Sequence, residues 1–478
     1  MSHYYKSSLY LLFRHIDEKI AEGNLNESLK LIHDSVVQII SEPVCTAKIF
    51  GSEILDHLCL KIGQHCFDQN FSSYPKQEKV DVDYIYLVTK LQESGGHTRV
   101  IRNFITARPN EKHLIISTEL AGRSNRDFLS ETIPSEIDFS IQFAPKGNYV
   151  AKLIWLQAFL MQLNAKKIYL FNHHQDAVII AAVQSSNIKC SFYHHADHQL
   201  CLGSTISCHE HIDINPLIYQ RCRRTGIDNI YIPLTVKDKG EPVKEKLFRS
   251  SGFLITCTVA RFNKIEKSYF INYFDVITEL LSNTGGMHIH IGTLTPWARW
   301  KLKYQLKKNK ISSRRFLYIP WVADVWKALQ DLDVDLYISS FPYGAGLTLI
   351  EVMGAGVPVA IHRNVFSNHL SEFSLAYNNA FSWQFPEQLI QYCKMVTAAD
   401  LQKHRLAGRH HYLAYFKDDK LASLLDGSDK VFPPIVSDVS EQYAANEYAY
   451  WLCRQFNFIS YLNKFCFKCA KKIRTLIK

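Results

Sequence analysis

The chain has 478 residues, of which 47% are hydrophobic, and its 55 Lys and Arg exceed its 45 Asp and Glu for a net charge of +10. Such a length and apolar content support two or three packed domains. Twelve cysteines scattered through apolar runs exclude a disulfide scaffold and fit a reducing compartment. No window reaches the roughly 18 apolar residues of a membrane span, and Met1–Lys6 leads into no apolar stretch of signal-peptide length, so a cytoplasmic location is expected.

Residues 1–78 read as a helical extension. Apolar residues recur at three- and four-residue spacing from Tyr10 and from Leu25, with Glu22-Gly-Asn as the turn between the two runs. It is expected to be a packing or interaction accessory, joined by the polar linker 72–79. From Asp83 the texture changes to short apolar, β-rich runs at 84–88, 114–117, 167–171, 189–193 and 229–232, with helical stretches at 150–163 and 176–184. That alternation is the rhythm of a parallel, doubly wound sheet, and it defines a domain over 79–240. The polar run 237–246 breaks it. A second set follows at 253–259, 287–291, 316–319, 335–339 and 357–361, giving a second domain over 241–430.

Residues 431–478 form the expected C-terminal helices. No acid follows Glu447, whereas Arg454, Lys464, Lys468, Lys471, Lys472, Arg474 and Lys478 alternate with aromatic and aliphatic residues. The segment 448–478 reads either as a core-docking helix with a basic end or as an interfacial amphipathic helix in peripheral membrane contact. Nucleic acid is not an expected partner, because no binding module is present. Cys466 and Cys469 form a single Cys-x-x-Cys without a second pair, which is insufficient for zinc.

The most informative stretch runs from Ser340 to Val359. A loop containing Gly344 and Gly346 feeds a helix that opens on Thr348 and carries Glu351; Gly354-Ala-Gly-Val-Pro-Val then returns the chain to a strand. A helix N-terminus offers free N–H groups to phosphate, and a carboxylate one turn further on suits ribose hydroxyls. Upstream, 253–259 ends in Ala260-Arg261-Phe262-Asn263-Lys264-Ile265-Glu266-Lys267, where cations can neutralise a departing diphosphate.

These two segments resemble the nucleotide-sugar site of GT-B glycosyltransferases, a likeness that covers residues 80–390. Many retaining members carry Glu-x7-Glu; Glu351 occupies the second, ribose-binding position, and Tyr343 stands at the first. The single acid with Thr348, and the Phe-Asn-x-x-x-Lys spacing that ends on Lys267, are similar to the O-GlcNAc-transferase-like group. The resemblance implies that Arg261, Lys264, Lys267, Gly344, Gly346, Thr348 and Glu351 bind the donor. It also implies no cofactor and no metal: the co-substrate is a nucleotide-diphosphate sugar, expected to be UDP-linked.

On the acceptor side, 84–88 runs into Gly95-Gly96-His97, a turn between strand and helix that brings backbone close to a ligand. Further on stands His194-His195-Ala196-Asp197-His198, similar to a motif of GT-B enzymes of the bacterial surface-polysaccharide type. His97 and Asp197 are the candidate catalytic groups, since an imidazole or carboxylate there can activate an acceptor hydroxyl. Gly95, Gly96, His194, His195 and His198 are expected to line the cleft. Cys201, Cys208, His209 and His211 lie nearby, but their positions fit neither a helical pair nor a finger spacing, and no metal is assigned. Asp81-Val-Asp83 and Asp331-Leu-Asp-Val-Asp335 precede strands and read as solvated residues rather than a metal-binding pair.

The expected architecture is α/β and GT-B: two doubly wound parallel-sheet (Rossmann-like) domains facing a cleft, with the helical extension and basic tail at the ends. The expected function is sugar transfer to a glycan or lipid-linked glycan acceptor in surface polysaccharide synthesis, at the inner face of the membrane. A protein glycosyltransferase and a catalytically silent GT-B binding scaffold are the alternatives.

Overall fold

The computed structural model describes residues 2–42, 45–74, 78–92, 96–124, 127–195, 198–241, 247–267, 269–434 and 436. The basic tail lies outside the described residues. The chain divides into two compact units: the first runs to Gly240 and resumes at His410, and the second spans Glu241–Arg409.

The first unit opens with helices α1 (Ser2–Ala21), α2 (Leu25–Ser41) and α3 (Glu53–Asn70). A seven-stranded parallel sheet follows, formed by β1 (Tyr84–Val88), β2 (His113–Ser117), β3 (Phe139–Phe143), β4 (Lys167–Phe171), β5 (Cys190–His194), β6 (Glu210–Asp213) and β7 (Asn229–Tyr231). Its strand order is β3-β2-β1-β4-β5-β6-β7, the doubly wound order in which the chain reverses direction between β1 and β4. Helices α4 (Gly96–Thr106), α5 (Tyr149–Met161), α6 (Ala177–Val183) and α7 (Pro216–Arg224) connect the strands.

Strand alternation sorts the core. Ile85 and Leu87 of β1 join the layer that contains α1–α3, α5 and α6. Tyr86 and Val88 join the opposite layer, with Val100, Ile101 and Phe104 of α4. All seven residues of α6 are buried, so a helix lying on a sheet is here covered on its outer side as well. The cover is α2 and α3, whose Ile32, Leu55, Leu58 and Ile62 share one core with it, and α1 packs on both. The N-terminal helices are therefore part of the first unit and not a separate extension.

Gly63 fixes how closely α3 approaches α6, since a Cβ there would lie 1.9 Å from the Ala181 carbonyl oxygen. The Asp56 carboxylate adds a polar tie, accepting the Gly203 N–H at 2.6 Å, the Thr205 N–H at 3.0 Å and the Thr205 hydroxyl. Burial pushes its pKa up to about 6 against those hydrogen bonds.

The second unit holds β8 (Ile255–Val259), β9 (Met287–Ile291), β10 (Phe316–Ile319), β11 (Leu336–Ile338), β12 (Val359–His362) and β13 (Phe381–Trp383). All pair in parallel in the order β10-β9-β8-β11-β12-β13, again doubly wound. Helices α8 (Phe262–Ile265), α9 (Tyr273–Thr284), α10 (Gly346–Gly354) and α11 (Ala398–Tyr415) belong to this part of the chain. Asp335 is not solvated as its sequence context suggests. It is 1% exposed and accepts the Arg249 and Ile255 N–H groups at 3.0 and 2.8 Å, which pins the start of β8.

The C-terminal end of α11 rejoins the first unit. There Val236 N–H donates to the Phe416 carbonyl at 2.9 Å, and the Tyr412 hydroxyl donates to the Val236 carbonyl at 2.7 Å. Helix α12 (Leu421–Asp426) then adds Leu421 and Leu425 to the core beside α4. Residues 410–430 thus depart from the expected second domain over 241–430. Among the described residues no helix is long and apolar enough to cross a membrane.

Candidate active site

In a doubly wound sheet, ligands gather beyond the strand C-termini where the strand order reverses. In the second unit that place lies between β8 and β11, and both sequence-predicted donor segments end there. Arg261 is the N-cap of α8; it and Lys267 are exposed, one at each end of that short helix. Lys264 reaches the glycine loop, its Nζ donating to the Gly344 carbonyl at 2.6 Å. Its ammonium therefore ties the loop to α8.

Helix α10 begins at Gly346, two residues before the expected start at Thr348, because Ala345 serves as N-cap without a side-chain hydrogen bond. Ala345 has no side-chain acceptor to offer the first N–H groups of the helix, which suits the helix end to an anion. Thr348 is half-buried in the first turn. Glu351, in the next turn, is 3% exposed.

The structure adds one residue that the sequence reading did not single out. Glu372 packs against Gly344 so tightly that a Cβ on the glycine would lie 2.1 Å from the glutamate Cγ. Burial pushes its carboxyl up to about 7, opposed by the Lys264 charge and the Ala345 N–H. The loop thus has a lysine on its carbonyl and a carboxyl against its glycine. Glu372 lies 28 residues beyond Gly344 in a segment of short turns, and no spacing rule links the two.

In the first unit the strand order reverses between β1 and β4, and three histidines meet there. The His97 ring lies 5.2 Å from that of His173, edge to face, and 5.6 Å from that of His195, stacked. His97 sits in the first turn of α4 with Nε2 2.9 Å from the Lys90 carbonyl. A neutral ring that donates from Nε2 keeps its lone pair on Nδ1. Burial lowers the pKa of His97. For His173, burial and the neighbouring His97 bring it to about 4, and His195 falls well below the usual value for the same reasons. All three rings are therefore neutral, proton-accepting groups at pH 7.

A buried carboxylate positions this cluster. Asp176 caps α6 through the Ile179 N–H and accepts the Thr89 and Thr118 hydroxyls, each at 2.7 Å. Thr89 Oγ1 in turn accepts the backbone N–H of His173 at 2.8 Å.

Gly96 opens α4. Gly95 and Asp197 lie outside the described residues. His198 follows β5, with its carbonyl accepting the Ala47 N–H at 2.7 Å. His194 does not line the histidine cluster that His195 joins. It is the last residue of β5, its side chain turns to the opposite face, and it meets His211, Asp213 and Cys222. Of the four nearby residues weighed for zinc, His211 alone belongs to that group. Cys466 and Cys469 lie outside the described residues.

No family profile matches the chain. No curated protein matches it in sequence. Solved structures do match. HepE of Anabaena, in complex with UDP and glucose, is similar at a TM-score of 0.54 and 11% identity, over 73% of this chain and 99% of its own. A glycosyltransferase from Rickettsia africae is similar at a TM-score of 0.52 and 16% identity, over 73% of this chain and 97% of its own. The lipopolysaccharide outer core galactosyltransferase WaaB is similar at 0.53 and 14%, over 73% and 100%. The chain thus resembles GT-B glycosyltransferases. It has the GT-B fold, with two Rossmann-like units in one polypeptide.

Proposed function

We propose that the chain is a glycosyltransferase that moves a hexosyl or N-acetylhexosaminyl group from a nucleotide-diphosphate sugar, with uridine the expected base, to a glycan or lipid-linked glycan acceptor. The observation that carries this proposal is the anion-ready start of α10, with Lys264 fastened to the Gly344 carbonyl and Glu351 one turn further on. In this role the N–H groups of α10 and Thr348 bind phosphate, Glu351 binds ribose, and Arg261 and Lys267 stabilise the departing diphosphate. Protein cations and a helix end supply the positive charge, so the transfer is expected to proceed without a metal.

On the acceptor side, His97 Nδ1 is the proposed base, taking the hydroxyl proton as the acceptor oxygen bonds to the anomeric carbon and the sugar–phosphate bond breaks. Asp197 is the other candidate for this step. Surface polysaccharide synthesis, a cytoplasmic location at the inner membrane face and lipid contact through 448–478 complete the proposal.

Calorimetry against UDP, GDP, CMP and their sugars is the test. Binding of one nucleotide is expected, weakened about 10- to 100-fold by Glu351→Ala and by Lys267→Ala, as for the loss of a charged hydrogen bond. No binding to any of them would remove the proposal. Tyr343, at the position where related enzymes carry an acid, favours a second reading as a silent scaffold. That reading predicts nucleotide binding with neither donor hydrolysis nor transfer, or no nucleotide binding at all.

A further inference from the structure

The first unit contains a second group of chemically capable side chains, apart from the histidines that His97 joins. His194 ends β5. His211 and Asp213 stand on β6 with one residue between them, which puts both on the same face. Cys222 comes from α7. Exposures are 1% for His194, 3% for His211, 0% for Asp213 and 5% for Cys222.

Their donor atoms converge. Asp213 Oδ1 lies 2.9 Å from His194 Nδ1 and 3.2 Å from His211 Nε2, and the two nitrogens are 3.1 Å apart. Cys222 Sγ lies 3.8, 3.6 and 3.7 Å from His194 Nδ1, His211 Nε2 and Asp213 Oδ1.

From this convergence we infer a structural zinc(II) site with His194, His211, Asp213 and Cys222 as its four ligands. The metal–ligand distances of tetrahedral zinc imply edges of about 3.3 Å between nitrogen or oxygen ligands and about 3.6 Å from each to sulfur. All six separations lie near those edges. Hydrogen bonding does not account for such a cluster. An imidazole nitrogen offers one in-plane hydrogen or one lone pair, which serves one partner along one line, whereas each nitrogen here has three neighbours. A cation at the centre satisfies all four donors together.

Charge and softness agree. A carboxylate and a thiolate bring two negative charges, which a dication neutralises in a site shut off from water. A thiolate with two imidazoles selects zinc over magnesium or calcium. The surrounding groups orient the carboxylate: Asn229 Nδ2 donates to Asp213 Oδ2, which turns Oδ1 toward the cluster, and Asn229 Oδ1 accepts Arg223 Nε at 2.9 Å. Four protein ligands leave no open position, so the site is structural, joining β5, β6 and α7. It stands whether or not the chain transfers sugar.

Elemental analysis of the full chain, purified without chelators and then dialysed against zinc, tests the assignment together with zinc-edge X-ray absorption. About one zinc per chain is expected, with one sulfur neighbour at about 2.3 Å and three nitrogen or oxygen neighbours at about 2.0–2.2 Å. Cys222→Ala and His211→Ala should lose the metal, and Cys208→Ser, at an exposed cysteine, should keep it. A chain without zinc after dialysis would overturn the site. So would a sulfur count other than one, or full zinc content in folded Cys222→Ala. If the ligand variants do not fold, the absorption spectrum of the parent chain decides.

Discussion

Glu372 packs against the glycine loop at Gly344, and its ionisation bears on that loop. Its carboxyl is raised to about 7 in the folded chain from an ordinary 4.5. Between these values the folded state holds a proton that the unfolded state has released, so stability is full below pH 4.5 and is lost as pH rises through 7. The shift corresponds to about 3 kcal/mol. Glu372→Gln should therefore melt close to the parent at pH 5 and above it at pH 8, as thermal denaturation at the two pH values would show. His97 allows a separate check. His97→Asn should lower transfer or donor hydrolysis about 10²- to 10⁴-fold with nucleotide affinity unchanged, and in the parent the acid limb of the rate profile should fall below the ordinary histidine pKa. The sequence singled out His97, Lys264 and Glu351, and the structure puts His97 where the strand order of the first unit reverses and Lys264 on the Gly344 carbonyl. The separation of His194 from His195 also follows from strand alternation once β5 is assigned. The pairing of Glu372 with Gly344 was not legible, because contacts between turns carry no periodicity.

At the scale of elements, regular apolar runs were legible and atypical strands were not. Runs such as 84–88 and 167–171 fall on β1 and β4. Three strands lack a run that marks them. Edge strand β3 alternates half-buried with exposed positions, the edge strand β13 is three residues long, and β6, Glu-His-Ile-Asp, uses two of its four positions for the polar cluster. A strand that supplies ligands loses the hydrophobic pattern by which strands are recognised. The contact of α3 with α6 gives a stability prediction. A methyl group at Gly63 meets backbone and not a movable side chain, so Gly63→Ala should cost about 1–3 kcal/mol by overpacking, read as a lower urea midpoint at constant slope.

On the scale of the whole molecule, the two doubly wound sheets were legible from the order of strands and helices, whereas the assignment of both chain ends was not. Helical periodicity shows that residues 1–78 are helical and apolar on one face, but not which surface that face covers. The answer depends on α6, which is apolar all round and must be buried on two sides. Deleting residues 1–74 would strip that cover and expose Ile179, Ile180 and their neighbours. The truncated chain is expected to be insoluble or to lack cooperative unfolding, as solubility on expression and calorimetry would report. An independent extension would leave both unchanged.

The return of the chain at His410 has a consequence for biosynthesis. The larger part of the first unit, residues up to Gly240, is synthesised before the second unit, yet Tyr412, Leu421 and Leu425 complete its packing. Among the described residues the second unit, Glu241–Arg409, lies between these two parts, so it is synthesised before the second of them. During translation the larger part must therefore wait, incompletely packed, until residues 241–409 have been made and 410–425 follow them.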